Sequence, residues 1–172
     1  MVGEISSASL KRIREPDWTN IEPFNRTPEA FCTLDHQIDD MTVSEYISSV
    51  PTDRQEQITV LHDTIMTNDP GISPVVKPMM GKEMILYEER SYMKYGLAST
   101  KNYMSLHCLP MYMNPPLHDK YIKLLSAAKF QKGCINFTDT ASMPPEIVAA
   151  LIVDCSSISI AALLENRKKN KK

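Results

Sequence analysis

Three carboxylates on one predicted helix are the first residues whose types and spacing could do chemistry. The helix is predicted over residues 52–67, where apolar residues recur on one face. At about 100° per residue, Asp53, Glu56 and Asp63 lie together on the opposite face. Carboxylate oxygens bind hard or borderline cations such as Fe(II), so this row could hold one or several ions weakly. A solvated outer face is the alternative interpretation.

A second set of polar residues follows the alternation of a predicted strand. Tyr103, Ser105 and His107 are spaced two residues apart, which places their side chains on one face of a sheet. Lys77 and Lys82, in the loop that precedes the sheet, could join them. Together these five residues could line a small polar pocket that binds a ligand or performs a reaction. A solvated sheet surface is the alternative interpretation.

Familiar catalytic patterns are absent from the sequence. Cys108 follows His107 directly, but consecutive strand residues point to opposite faces, so this pair cannot act as nucleophile and base. The four cysteines, Cys32, Cys108, Cys134 and Cys155, have no C-x-x-C spacing and are expected to be reduced core residues. No nucleophile elbow, H-E-x-x-H motif, Walker loop or dinucleotide fingerprint occurs. The sequence therefore favours a non-enzymatic binding domain.

Alternation of apolar and polar residues predicts the sheet that would position the second set. Strands are predicted at residues 84–87, 91–98, 103–108 and 134–137. Residues 72–82 contain two prolines and a glycine and are expected to form an extended loop. Residues 109–116 are rich in Met and Pro and are expected to be irregular. Their Met-rich part, residues 111–116, could instead make the chain a protein-interaction module.

Helix signals flank the sheet on both sides. Thr42 with Glu45, and Thr52 with Gln55, fit the capping box, so two helices are predicted to begin there. Helical spacing returns after residue 117, and a final broad helix is predicted from residues 143–145 to residue 166.

Charge and composition suggest where such a domain would work. The formal net charge is −2, but five cations lie within residues 166–172, which leaves 14 basic and 21 acidic residues in the body. An acidic body argues against a nucleic-acid partner. No uninterrupted apolar run of roughly 18 residues and no signal peptide is recognised, so we expect a cytoplasmic protein with no membrane partner. The predicted organisation is an irregular arm over residues 1–40, a domain over 41–165 and a disordered basic tail over 166–172.

Several segments in this order resemble a known family. They are residues 45–51 with the helix that follows, the Lys-Pro-Met-Met-Gly-Lys loop at 77–82, residues 96–106, and the Lys-Gly-Cys-Ile-Asn-Phe run at 132–137. Over residues 42–160 the chain is similar to the YdhG-like domain-of-unknown-function family, of the bacterial frataxin-like iron-chaperone type.

The resemblance implies both a fold and a role. The implied fold is α+β, a YdhG/frataxin-like two-layer sandwich with helices packed on an antiparallel or mixed sheet. The implied role is that of an iron-binding chaperone or donor, with weakly and transiently bound iron and an iron–sulfur or haem assembly protein as partner. The family supplies no ligand motif, so Asp53, Glu56 and Asp63 are metal candidates by their chemistry only. A small-molecule-binding or enzymatic domain and an interaction module are the alternatives.

Overall fold

A six-stranded antiparallel sheet is the scaffold of the part of the chain that the structure describes. The structure is a computed structural model that describes residues 41–170. Its strands are β1 (Ser73–Met79), β2 (Lys82–Glu89), β3 (Tyr92–Ser99), β4 (Met104–Cys108), β5 (Lys129–Gln131) and β6 (Cys134–Phe137). Their order is β1-β2-β3-β4-β6-β5, and every neighbouring pair is antiparallel. The predicted arm over residues 1–40 lies outside the described residues.

Helices precede, interrupt and follow the strands. They are α1 (Val43–Ser49), α2 (Thr52–Asn68), α3 (Leu109–Met113), α4 (Pro115–Leu124), α5 (Pro145–Ser156) and α6 (Ile160–Lys169). Residues from α1, α2, α3, α4 and α5 share one buried cluster with alternate residues of the sheet. The predicted α+β class, with helices packed on an antiparallel sheet, is therefore confirmed.

The apolar stripe of α2 forms the centre of the core. Ile58, Leu61 and Ile65 are completely buried, as predicted, and α5 packs beside them. Each such side chain contributes about 1.5–3 kcal/mol by leaving water. The stripe therefore fixes which face of α2 points inward and leaves the carboxylate row outside.

The two predicted capping boxes have different outcomes. In α1 the Glu45 amide donates to the Thr42 hydroxyl at 3.2 Å, and the Thr42 amide donates to Glu45 Oε2 at 2.7 Å, so this box is confirmed. The second box is wrong, because Pro51 occupies the N-cap of α2 and no side chain caps it. Gln55 instead donates to the carbonyl of Val50 at 3.0 Å, which satisfies the end of α1.

Residues 72–82, predicted as a loop, form the edge strand β1 and its turn. Pro74 and Pro78 argue against a strand in the interior of a sheet, because proline has no amide hydrogen to donate. At an edge, alternate amides point away from the neighbouring strand, so proline is tolerated there. Met80 and Gly81, with φ values of 53° and 75°, turn the chain directly into β2. The sheet is consequently wider than the alternation predicted.

Three further segments differ from the predictions. Residues 109–113 form α3 and residues 115–116 begin α4, because their prolines stand in first turns where no amide donor is required. The three-residue strand β5 is too short to show an alternation. The predicted final helix is divided into α5 and α6, since Ser159 caps a new helix by accepting from the Ala162 amide at 3.1 Å. Helix α6 extends to Lys169, into the region predicted as a disordered tail.

By length and composition alone, one stretch among the described residues, Pro145–Lys169, could cross a membrane. Its α5 half buries Val148, Leu151, Ile152 and Cys155 completely in the core. Core packing therefore accounts for the apolar character of α5.

A buried ion pair connects three elements at one end of the sheet. Lys94 Nζ on β3 lies 2.8 Å from Asp69 Oδ2 at the end of α2, and the two side chains are 2% and 6% exposed. Lys94 also donates to the carbonyl of Ser156 on α5 at 3.1 Å, and the Tyr95 hydroxyl donates to Asp69 Oδ2 at 2.9 Å. Because each buried charge is paired and hydrogen-bonded, the network fixes both helices against β3.

The carboxylate of Glu89, at the end of β2, holds the start of α6. It accepts hydrogen bonds from the Ser159 hydroxyl at 2.7 Å and from the Ile160 amide at 2.8 Å. Burial alone would raise the pKa of Glu89, but these hydrogen bonds, one from Ala161 and the charge of Lys94 together lower the pKa below its ordinary value. A negative charge at a helix N-terminus is also favourable to the helix dipole.

We expect Lys94→Met to lower the free energy of unfolding by about 3–5 kcal/mol, because Asp69 is left buried without its counter-charge. Urea unfolding would measure the loss. The control is Lys77→Met, which breaks the 2.7 Å pair with Glu88, where the side chains are 49% and 21% exposed. That change should cost about 1 kcal/mol or less. Equal losses in the two variants would contradict the role given to the buried pair.

We expect Glu89→Gln to reduce stability at neutral pH by about 1 kcal/mol through the weakened start of α6. Since the folded pKa of Glu89 lies below its ordinary 4.5, the stabilisation is complete above that value and is lost as the pH falls through the folded pKa. The wild type and the variant should therefore become equally stable in acid. A difference that stays constant down to about pH 2 would contradict this account.

Candidate functional site

Six polar residues form two rows on the sheet face opposite the main core. The register places Ser105 on β4 opposite Asn136 on β6, which is opposite Lys129 on β5. In the same way His107 is opposite Cys134, which is opposite Gln131. Directly opposed residues have Cβ atoms about 4.5–5.5 Å apart and point to one face. We call these six residues the polar grid: Ser105, His107, Lys129, Gln131, Cys134 and Asn136.

Two members of the grid form a thiol–imidazole contact. Cys134 Sγ lies 3.0 Å from His107 Nδ1, and both residues are partly buried. Burial lowers the pKa of His107 below its ordinary 6.5 and raises the pKa of the Cys134 thiol above its ordinary value. At neutral pH the pair is therefore a neutral thiol beside a neutral imidazole, and the thiol can donate to Nδ1 in the tautomer that carries its proton on Nε2. This is the arrangement of a nucleophile with an adjacent proton acceptor.

A groove of about 350 Å³ lies beside this contact. Lys129, Gln131 and Asn136 belong to both the grid and the groove, and the Asn136 side-chain amide donates to Gln131 Oε1 at 3.2 Å. The groove is lined by eight residues: Asn102, Tyr103, Ala127, Lys129, Gln131, Asn136, Phe137 and Thr138. They include one cation and no carboxylate, and their amides and hydroxyls can both donate and accept hydrogen bonds.

The turn between β3 and β4, which supplies Asn102 and Tyr103 to the groove, is held by the helices. The Arg54 guanidinium on α2 donates to the Ser99 hydroxyl at 3.2 Å, and to the carbonyls of Thr100 and Lys101. The Tyr46 hydroxyl on α1 accepts from the Ser99 amide at 3.0 Å. The core helices thereby set the position of one wall of the groove.

Close packing at Gly133 sets the position of Cys134. A Cβ added at Gly133 would lie 2.7 Å from Tyr112 Cβ, closer than real Cβ contacts. The Gly133 carbonyl also accepts from the Cys108 amide at 2.8 Å. The preceding Lys132 has a φ of 54°, in the left-handed region, so the turn between β5 and β6 is tightly constrained. Cys134 begins β6 immediately after this turn.

The structure brings together part of the predicted ligand-binding set. Ser105 and His107 lie on the grid, and Tyr103 lines the adjoining groove. Lys77 is on the edge strand β1, three strand spacings or about 14 Å from β4, and is paired with Glu88. Lys82 is exposed at the start of β2, two spacings away. Neither lysine shares the site with Tyr103, and Lys129 is the cation found there.

Sequence reasoning missed the residues that complete the site. The sequence predicts Cys134 to be a core cysteine, and the adjacent pair it offers for His107 is the chain neighbour Cys108. The contact between His107 and Cys134 depends on strand order, because β6 inserts between β4 and β5. The one signal available was the Lys-Gly turn before Cys134, which is compatible with a hairpin.

The carboxylate row of α2 lies on the outer face, as predicted, but does not converge. At 1.5 Å per residue, Asp53 and Asp63 are about 15 Å apart along the axis, and Glu56 and Asp63 about 10 Å. Asp53 and Glu56 line a second groove, of about 300 Å³, which Asp139 also lines. Asp139 is occupied within its own loop, where it accepts from the Ser142 amide at 2.8 Å. Within residues 41–170, no three His, Cys, Asp or Glu side chains are grouped so that they could hold a metal ion. Iron binding by this row stays a prediction.

The Met-rich segment does not present the apolar patch that an interaction module would require. Met111 is completely buried in the core, and Met113 is partly buried. The large apolar side chains exposed in the described region belong to other segments, such as Met80 in the β1–β2 turn and Val153 on α5.

We expect Gly133→Ala to lower the free energy of unfolding by about 1–3 kcal/mol, because the new methyl group overlaps Tyr112. Gly71→Ala is the matched control, since a Cβ there meets only Asp69 Oδ1, at an ordinary 3.6 Å. Chemical unfolding would compare the two. If Gly133→Ala proved as harmless as Gly71→Ala, Gly133 would not be the close contact that positions Cys134.

Comparison with known proteins yields one structural likeness. The chain is similar to the crystal structure of a DUF1801-family protein, YdhG, from Bacillus subtilis. The two sequences are 11% identical, the likeness covers 64% of this chain and 84% of the other, and the TM-score is 0.49. No protein-family model matches the sequence, and no curated protein matches it either. The iron-chaperone role implied by the family resemblance stays a prediction.

Proposed function

We propose that this chain is a small-molecule-binding domain whose ligand is a small anion that carries a carboxylate or phosphate group. The observation that carries the proposal is the composition of the groove between the β3–β4 turn, β5 and β6. Its lining combines Lys129 with the amides of Asn102, Gln131 and Asn136, and includes no acidic side chain. Cations and amide donors are the groups that bind carboxylate and phosphate oxygens.

The size of the groove supports a small ligand. A volume of about 350 Å³ lies at the lower end of the usual range for small-molecule sites, about 300–1,000 Å³. Ala127 and Phe137 are the apolar residues of the groove, while the polar groups converge from three elements. A few polar groups on a preformed apolar base are the common design of such sites.

The charge distribution decides which of the two grooves an anionic ligand would prefer. The body of the protein carries an excess of acidic residues, yet Asp53, Glu56 and Asp139 are gathered around the other groove, beside α2. A ligand with negative charge is therefore expected to prefer the Lys129 groove over the α2 groove, because like charges repel at the latter.

We expect inorganic phosphate or succinate to bind the wild-type protein saturably in calorimetry, and Lys129→Gln to weaken that binding about tenfold. Added salt should weaken binding further, since part of the attraction is electrostatic. The control is Lys123→Gln, which removes another exposed cation, on α4 and outside the groove. Absence of saturable binding for both anions, or an equal loss in the control, would overturn the proposal.

The iron-donor role can be tested in the same calorimeter with anaerobic Fe(II). Because Asp63 lies about 10 Å from Glu56 along the helix, one ion cannot contact the whole row. If Fe(II) binds at the groove beside α2, Glu56→Gln should therefore weaken Fe(II) binding, and Asp63→Asn should leave the affinity unchanged. Binding that depends on Asp63 alone, or no binding at all, would remove this site from consideration.

A further inference from the structure

The described cysteines differ sharply in their surroundings. Cys108 and Cys155 are completely buried, with their sulfur atoms 3.5 Å from each other. Cys134 is partly exposed and contacts a base. A thiol reacts with an external reagent only where that reagent can reach it, and Cys134 meets this condition among the described cysteines.

The sheet holds the imidazole in one place relative to the thiol. His107 and Cys134 are directly opposed on β4 and β6, and each is tied by neighbouring register pairs, Leu106 with Ile135 and Ser105 with Asn136. On its other side His107 is opposed by Gly96, whose missing side chain leaves the ring without a neighbouring charge from β3. The 3.0 Å contact is therefore a product of strand register and does not depend on a mobile loop.

We propose that Cys134 is a reactive thiol that forms mixed disulfides with low-molecular-weight disulfides, and that His107 Nδ1 takes its proton during the attack. This activity is separate from the anion groove and does not rest on it.

The proposed step is thiol–disulfide exchange. Cys134 Sγ attacks one sulfur of the external disulfide as its proton passes to His107 Nδ1, and a new sulfur–sulfur bond forms while the old one breaks. The second sulfur departs with the electron pair of the broken bond and then receives the proton from His107. Cys134 is oxidised, the departing sulfur is reduced to a thiol, and the imidazole is restored.

The product is expected to persist until an external thiol removes it. Cys108, on the strand next to Cys134, points to the opposite face, where it contacts Cys155. Within residues 41–170, no other cysteine lies on the face that carries Cys134. The modification would therefore be reversed by exchange with an external thiol and not by a disulfide to Cys108 or Cys155.

The neutral state of the pair makes His107 necessary at neutral pH. Since burial raises the pKa of Cys134, little free thiolate is present, and the thiolate is the nucleophilic form. Since burial lowers the pKa of His107, its imidazole is neutral, and the tautomer protonated on Nε2 leaves Nδ1 free to accept the thiol proton. A positioned general base typically raises the rate of such a reaction about a hundredfold or more.

The experiment follows the full-length protein as it reacts with an aromatic disulfide that releases a coloured thiolate, with peptide mapping to separate Cys134 from Cys32. At neutral pH we expect His107→Gln to slow the reaction of Cys134 about a hundredfold, and Cys134→Ser to abolish it at this position. Cys108 and Cys155 should stay unlabelled in the folded protein.

A pH series distinguishes a base from a merely structural histidine. As the pH rises toward the pKa of the Cys134 thiol, more of the protein carries a free thiolate, which attacks without help from His107. The reaction rates of the wild type and His107→Gln should therefore converge. Equal rates at neutral pH, a gap that does not narrow with rising pH, or an unreactive Cys134 in the wild type would each overturn the proposal. Oxidised glutathione, followed by mass spectrometry, then tests a biological disulfide, and the adduct should disappear with added thiol.

Discussion

The buried pair of Lys94 and Asp69 is the constraint on which the arrangement of the layers depends. A charged lysine and a carboxylate are stable in a core only together, so the end of α2, the start of β3 and the end of α5 must meet at one point. That meeting point fixes the core face of β3. It thereby also fixes which residues of β4 and β6 face away from the helices, where the thiol–imidazole pair lies.

The fold could be predicted as far as local patterns determine it. The stripe of α2, the Thr42 cap and the β3–β4 hairpin each follow from residues close together in the chain. Elements whose existence depends on position in the finished sheet could not be predicted. Strand β1 tolerates its prolines only because it is at an edge, and β5 is defined by its pairing with β6 more than by its own three residues.

The candidate site likewise combines residues that a local pattern predicts with residues that strand order brings together. Ser105 and His107 were placed on one face by alternation alone, and the structure agrees. Cys134, Asn136 and Lys129 join them through strand order, which no short-range pattern encodes. The carboxylate row shows where helical periodicity is insufficient. It correctly places Asp53, Glu56 and Asp63 on one face of α2, but their separation along the helix axis is too large for one ion to contact all three.

The edge strands also limit how another protein could attach to this sheet. β1 carries Pro74 and Pro78, which lack an amide hydrogen, together with the charged Lys77, and β5 offers only three residues. Short edges and prolines oppose pairing with a foreign strand, which is also how many sheet proteins avoid aggregation. Neither edge is therefore a good template for strand addition. A partner would have to recognise side chains on a face or at a helix, and not the backbone of the sheet.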